Sequence, residues 1–316
     1  PVTNNSTQTQ KIYYVSPSGS DDSNVGDGTI ADPWFTLNKA WSVAAPGITF
    51  YMRGGTYSYL QQQRLRNKNG TAVDSIRLFA YPGEKPIISR GEPYVYPGYP
   101  TELVVISGDY ISVKKLDVSG NTQKETGIWG GMRAYFLTNS TFDRIDIHHN
   151  GGGMQLTNTD KCIVINSDFH HNQDPLTTSA GAYGNADGMG IDWLEASSLG
   201  ITDPIKIAQY NQQSQDAVNY IISCRFWYNT DDGIDDWEYE GNLYIDNCWA
   251  FWNGFIPDTW NKGGDGNGFK LGRTSISAPN VVKTRVYNSI AFQNKKWGFL
   301  DNGARCNMEI YNNTAY

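Results

Sequence analysis

Four aspartates and one lysine carry most of the chemistry this sequence could support. Asp187 lies in NADG, Asp231, Asp232 and Asp235 lie in DDGIDD, and Lys270 lies in GDGNGFKLG. Carboxylates gathered at one place repel one another unless a cation neutralises them. An all-oxygen ligand set at flexible spacing favours Ca²⁺, whereas Zn²⁺ or iron would call for His or Cys. Whether these residues gather depends on how the chain repeats.

It repeats an asparagine followed by a glycine: Asn150 and Gly153, Asn172 and Gly188, Asn229 and Gly233, Asn253 and Gly268, Asn294 and Gly298. Where nothing is inserted the asparagines recur after 22 or 24 residues. Short β-rich runs lie between them (KCIVINSDF, NYIISCRFW, NLYIDNCWAF, VVKTRVYNSIAF). The period predicts an all-β solenoid whose coils stack into parallel sheets. Equivalent positions then lie about 4.8 Å apart, so a column of sequence becomes a row of side chains.

The residue before each repeat glycine gives Gly152, Asp187, Asp232, Asn267 and Trp297. The residue two after it gives Gln155, Gly190, Asp235, Lys270 and Leu300. The first column stacks Asp187, Asp232 and Asn267. The second sets Lys270 one coil above Asp235, with Asp231 beside Asp232. Taken alone, TDDGIDD reads as a solvated acidic turn; the columns favour a cation site. Alternation turns Asp236 away from Asp235 and leaves its role open. The repeat asparagines read as a hydrogen-bonded ladder at a turn.

These columns need a frame. At 316 residues, one elongated solenoid over 11–316 accounts for the chain, with 1–10 as a disordered terminus. A helix is expected at about 34–45, with Phe35, Leu37, Ala40, Trp41 and Ala44 on one side, capping the raw edge of the first coil. Insertions after Asn172, Asp192 and Asn253 flank the acidic patch and are expected to wall a groove. The chain closes on IYNNTAY, inside what reads as another coil, so further C-terminal coils are expected.

The net charge of −7 and the lack of a basic stripe argue against a nucleic-acid partner. No apolar run is long enough to cross a membrane. No signal peptide is visible, but low lysine and abundant aromatics suit a secreted, periplasmic or cell-surface protein acting on carbohydrate as a monomer. Of four cysteines, Cys224 and Cys248 share a column with Ser167 and Ser289. That predicts a small inward stack, although the spacing permits a bridge. His148, His149, His170 and His171 form two pairs; the next coils carry Trp227/Tyr228 and Phe251/Trp252 there, so packing is expected rather than metal binding.

KIYYVSPSGS, NADG, DDGIDD, WAFWNG, GDGNGFKLG and YNNTAY resemble polysaccharide lyase family 9, from about Lys11 to the C-terminus. The resemblance implies a right-handed parallel β-helix of three sheets and a lyase acting on pectin. It further implies a catalytic Ca²⁺ held by Asp187, Asp231, Asp232 and Asp235, with Lys270 as the base. Two departures stand out: the insertion after Asp192 lengthens the gap between the first two motifs, and the family usually continues past the YNNTAY string.

On that footing the reaction is a β-elimination in which Lys270 removes the C5 proton of a uronate and Ca²⁺ neutralises its carboxylate. A free lysine titrates near 10.4, so cation and desolvation must lower it, and an alkaline optimum is expected. Asn267 is expected either as a substrate ligand or as a structural turn residue, and Arg273 as a fork onto a substrate carboxylate. The substrate is homogalacturonan or rhamnogalacturonan I. Overall acidity, with Trp193, Trp227, Trp237, Trp252, Trp260 and Trp297 near the insertions, tilts toward rhamnogalacturonan I. Two other functions compete: a β-helical glycoside hydrolase using Asp231 and Asp232 as acid and base, and a non-catalytic carbohydrate-binding solenoid.

Overall fold

A computed structural model describes residues 11–95, 101–127, 129–272 and 278–316. The expected disordered terminus, 1–10, lies outside the described residues. Within them, strands assemble into three parallel sheets of ten, eight and nine strands, each strand pairing with its equivalent in the next coil. This is a parallel β-helix, and strand–crossover–strand connections of this kind wind right-handed.

Alternation along each short strand builds the interior. On the ten-stranded sheet Phe50, Leu78, Val113, Phe142, Val164, Ile221, Ile245 and Val286 stand in register, one per coil. All are buried. On the nine-stranded sheet Phe169 stacks on Phe226 at 5.2 Å. Each rung covers the next, so apolar burial is continuous down the axis.

Between the nine- and eight-stranded sheets the chain turns through a left-handed residue (φ 55° at His149 and His171, 51° at Tyr228, 57° at Trp252). The following asparagine stabilises that turn. Asn229 Nδ2 donates to Asn253 Oδ1 at 3.0 Å, and Asn253 Nδ2 donates to Asn294 Oδ1 at 3.0 Å. The ladder begins one coil earlier than the repeat reading placed it, because Asn121 N donates to Asn150 Oδ1 at 3.0 Å. The repeat glycines make room for these amides. A Cβ on Gly233 would lie 2.5 Å from Gly268 O and 2.9 Å from Asn253 Nδ2.

The capping helix is shorter than its apolar pattern: Leu37–Ser42, opened by the Thr36 side chain accepting from Lys39 N. Phe35 and Ala44 flank it outside the helix. The insertion after Asp192 folds into a 3₁₀ turn, Ala196–Leu199, and a helix, Pro204–Asp216, whose start is capped by Asp203. The four cysteines are unbridged. Cys248 Sγ accepts from Cys224 N at 3.4 Å and Ser289 Oγ from Cys248 N at 3.1 Å, so the thiols act as rungs of a small inward stack.

The histidines pack as expected. His148 stacks on His170 (4.9 Å) and His170 on Trp227 (4.1 Å), continuing the outer aromatic column. His148 Nε2 also faces Asp117 at 3.1 Å, beside Asp146, where Lys85 already pairs with Asp117 at 2.8 Å.

Candidate cation and active site

The eight-stranded sheet carries the site. Its strands Gly130–Thr138, Gly152–Thr157, Met189–Asp192, Ile234–Asp236 and Phe269–Leu271 pair in that order. Inward positions hold Met132, Met154, Met189, Ile234 and Phe269; outward positions hold Arg133, Gln155, Gly190, Asp235 and Lys270. Asp236 takes the opposite phase. It pairs in register with the buried Ile191 and is itself buried, accepting from Gly272 N at 3.4 Å. Burial pushes its carboxyl well above the usual range, which favours the neutral form of this core group.

Asp187, Asp231 and Asp232 sit on the turn leading into this sheet, and each coil ties down the carboxylate of the coil before it. Asp187 Oδ1 accepts from Asp232 N at 3.0 Å. Asp232 Oδ1 accepts from Asn267 N at 2.6 Å and from Asn267 Nδ2 at 2.7 Å. Asp231 Oδ1 accepts from Asp265 N at 2.5 Å. Lys270 Nζ bridges the two acids below it, 2.9 Å from Asp235 Oδ2 and 3.0 Å from Asp232 Oδ2, and lies 5.4 Å from the centre of the Trp237 ring.

Packed this closely, the carboxyls hold protons more tightly than free ones do. Burial, and then the charges of Asp231, Asp235 and Asp232, push Asp187 well above the usual range. Burial and the neighbouring Asp232 push Asp231 up to about 8. For Asp235 burial outweighs the attraction of Lys270, and the group is raised to about 6. Burial pulls Lys270 down, as the sequence reading anticipated, but the attraction of Asp235, Asp232 and Asp187 more than offsets it and holds the amine charged.

The residues fit a divalent cation. Asp187, Asp231 and Asp232 each offer a carboxylate oxygen within 4.8 Å of the other two. Among the described residues, buried Oδ1 of Asp235 and buried Oδ1 of Asn267 have no hydrogen-bond partner. An oxygen-only, largely anionic donor set suits Ca²⁺. Asp235 stands outside the close trio and serves as the partner of Lys270. Asn267 is fully buried, and its backbone and side-chain amides anchor Asp232. Arg273 lies outside the described residues.

Asp187, Asp231, Asp235 and Lys270 line a cavity of about 750 Å³, with Asp232 buried behind them. Two of the three insertions wall it, through Ala180 and Asn185 on one side and Gly264 and Asp265 on the other. The insertion after Asp192 instead borders a neighbouring cavity with Trp193 and Tyr210. Of the six tryptophans named from the sequence only Trp237 lines the main cavity; Trp227 and Trp252 belong to the outer aromatic columns. Spacing alone could not separate these cases, because aromatic residues recur on all three sheets. Asp265 and its partner Lys296 (2.5 Å) also escaped the repeat reading, since Asp265 sits in an inserted loop without a column position.

A family model described as "Pel9A-like, right handed beta helix region" matches residues 13–316. The chain is 29% identical over 322 residues to pectate lyase L of Dickeya dadantii, covering 98% of this chain and 65% of that protein. It is 32% identical over 321 residues to pectate lyase L of Paenibacillus polymyxa, covering 96% and 62%. Among solved structures, pectate lyase Pel9A superposes with a TM-score of 0.75 at 27% identity, covering 98% of this chain and 70% of that one. A structure titled rhamnogalacturonan lyase superposes with a TM-score of 0.67 at 26% identity, covering 90% and 69%. The chain thus spans somewhat under two thirds of the length of the first two relatives.

Proposed function

The chain belongs to the Pel9A-like right-handed β-helix family, and on that premise we propose that it is a calcium-dependent polysaccharide lyase acting outside the cell on the galacturonate-containing backbone of pectin. The observation that carries this reading is the placement of one amine, Lys270, against Asp235 in a cavity that Asp187 and Asp231 also line, the two grouped with the buried Asp232. The relatives named pectate lyase and the solved rhamnogalacturonan lyase supply the substrate class.

Asp187, Asp231 and Asp232 would hold Ca²⁺, with Asp235 close by. When bound, the cation neutralises the uronate carboxylate and stabilises negative charge as it builds up at C5. Lys270 is the base that takes the C5 proton, the C4–O bond breaks as the C4=C5 double bond forms, and the departing oxygen takes up a proton from solvent to become a hydroxyl. Its Asp235 partner fixes the amine in place; Trp237 screens it from water. With the trio's charge engaged by a cation, less attraction holds the proton on Lys270, and its pKa falls toward the working range.

The hydrolase alternative fares poorly on one observation. Asp232 is buried behind Asp231 and does not line the cavity, its Oδ1 accepting from Asn267 and its Oδ2 ion-paired with Lys270, so the two adjacent aspartates do not face a substrate as an acid and base pair. The test is incubation with polygalacturonate and with rhamnogalacturonan I, with and without chelator. Unsaturated, ultraviolet-absorbing ends should form on at least one polymer, vanish with EDTA and return with Ca²⁺. Cleavage that survives chelation, or yields only saturated ends, overturns the proposal.

A further inference from the structure

The outward column that ends in Asp235 and Lys270 continues in the other direction through Gly190, Gln155 and Arg133. Gln155, Gly190 and Arg133 all line the main cavity. Gly190 leaves a gap in the groove floor, and the Gln155 side chain folds over it. A Cβ at 190 would lie 2.2 Å from Gln155 Oε1. The carboxamide therefore reaches past its own coil toward Asp235.

Its surroundings set what it can recognise. Arg133 sits behind it, but the guanidinium is engaged: Nε donates to Glu102 Oε1 at 2.8 Å and Nη1 to Thr157 Oγ1 at 3.0 Å. Arg133 and Glu102 are both buried, so this charge is neutralised where it stands. Asp192 borders the same cavity and meets Gln155 and Thr157. A carboxamide donates and accepts, which suits neighbouring hydroxyls. A second substrate carboxylate here would face Asp192 and Asp235 with no uncommitted cation among the described lining residues, and like charges in a partly enclosed cavity are costly.

We propose that Gln155, folded over Gly190, forms a second subsite that selects a neutral, hydroxyl-bearing sugar next to the reacting uronate. The inference rests on the lyase reading and deepens it. The preferred backbone is one in which uronate alternates with a neutral sugar rather than a homopolymer of uronate. One coil rises about 4.8 Å, so the Gln155 coil lies two rises from Asp235, a reach suited to the adjoining sugar of a chain laid along the axis.

The experiment compares kcat/KM on oligosaccharides of the alternating backbone and on oligogalacturonides of equal length, with Ca²⁺ present. The wild-type protein should favour the alternating series. Gln155→Ala should erode that preference about tenfold, mainly through KM, as expected for lost hydrogen bonds. Gly190→Ala should act in the same direction, because its methyl group displaces the carboxamide while Gln155 remains. Calorimetry in a Lys270→Ala background, where no turnover intervenes, should show Gln155→Ala weakening the alternating oligosaccharide while Ca²⁺ affinity is retained. A preference for oligogalacturonides, or an undiminished ratio in both variants, overturns the subsite alone. Absence of unsaturated product from either series overturns the lyase reading beneath it.

Discussion

Lys270 stands one coil above Asp235 in the same outward column, its Nζ 2.9 Å from the Asp235 Oδ2. The pair links fold to chemistry, because parallel register alone places an amine on an acid that lies 35 residues earlier in the chain. Removing the amine should therefore separate catalysis from folding. Lys270→Ala is expected to lower kcat by about 10²–10⁴, the usual contribution of a positioned base. Lys270→Arg should recover thermal stability through its charge but not activity, since a guanidinium does not give up its proton at working pH. Melting curves and product absorbance on the three proteins decide this; substantial turnover by Lys270→Arg would remove Lys270 from the role.

The acidic trio predicts a pH effect with a definite sign. Asp231 is raised from 3.8 to about 8, and burial with its acidic neighbours raises Asp187 well above the usual range. The folded state thus binds protons that the unfolded chain has released. That contribution to stability is complete below pH 3.8 and is lost as pH rises through about 8. Chelated protein should lose stability as pH rises from about 4 to about 8, by about 1.4 kcal/mol per pH unit for each proton that the folded state keeps and the unfolded chain has released. Asp231→Asn should flatten that slope. Saturating Ca²⁺ should do the same, adding about 2.7 kcal/mol at 100 times its Kd. Melting temperatures in EDTA that stay level across this range would contradict the account.

The asparagine ladder predicts a purely structural phenotype. Asn253 Oδ1 accepts from Asn229 Nδ2, and Asn253 Nδ2 donates to Asn294 Oδ1 and to Phe226 O. Asn253→Ala leaves buried donors and acceptors unmet and is expected to cost about 1–3 kcal/mol. Denaturant midpoints should shift, whereas activity per folded molecule and Ca²⁺ affinity should hold.

The thiols offer a quick check on the inward stack. Cys162, Cys224 and Cys248 are buried and unbridged, and burial raises the Cys162 thiol to about 12. Reductant should leave the melting temperature unchanged. An alkylating reagent should spare these three until the protein is denatured, with the part-exposed Cys306 reacting first. A mass shift of two protons lost in the native protein would reveal a bridge instead.

Much of this frame could be read from the chain because a parallel solenoid converts spacing into contact. The column through Asp187, Asp232 and Asn267, and the pairing of Asp235 with Lys270, follow from counting residues beside repeat glycines. Counting works only where every coil has the same length. Asp265 enters from an inserted loop, and the helix Pro204–Asp216 interrupts one coil altogether, so neither had a column. Asn121 has its repeat glycine in Gly131, where a Cβ would lie 2.8 Å from Asn150 Nδ2, but the longer gap between the two hid the pair from a count based on the later coils. The inward turn of Asp236 followed from alternation, but its neutrality depends on burial that no spacing reveals. Aromatic residues misled for a related reason: rings stack on outer faces as readily as they line a groove, and of the six tryptophans only Trp237 lines the main cavity.

Both cavity walls leave the helix at an asparagine rung and return at a repeat glycine, Asn172 to Gly188 and Asn253 to Gly268. The rungs bond to the coils on either side regardless of what is spliced between them. Wall segments are therefore exchangeable cassettes on a fixed mount. Grafting a longer or differently charged tip between Phe255 and Lys262, which pair as an isolated bridge, should remodel which polymers enter, while Asp265 and Asn267 still hold Asp231 and Asp232 and the sheet underneath still sets Asp235 against Lys270.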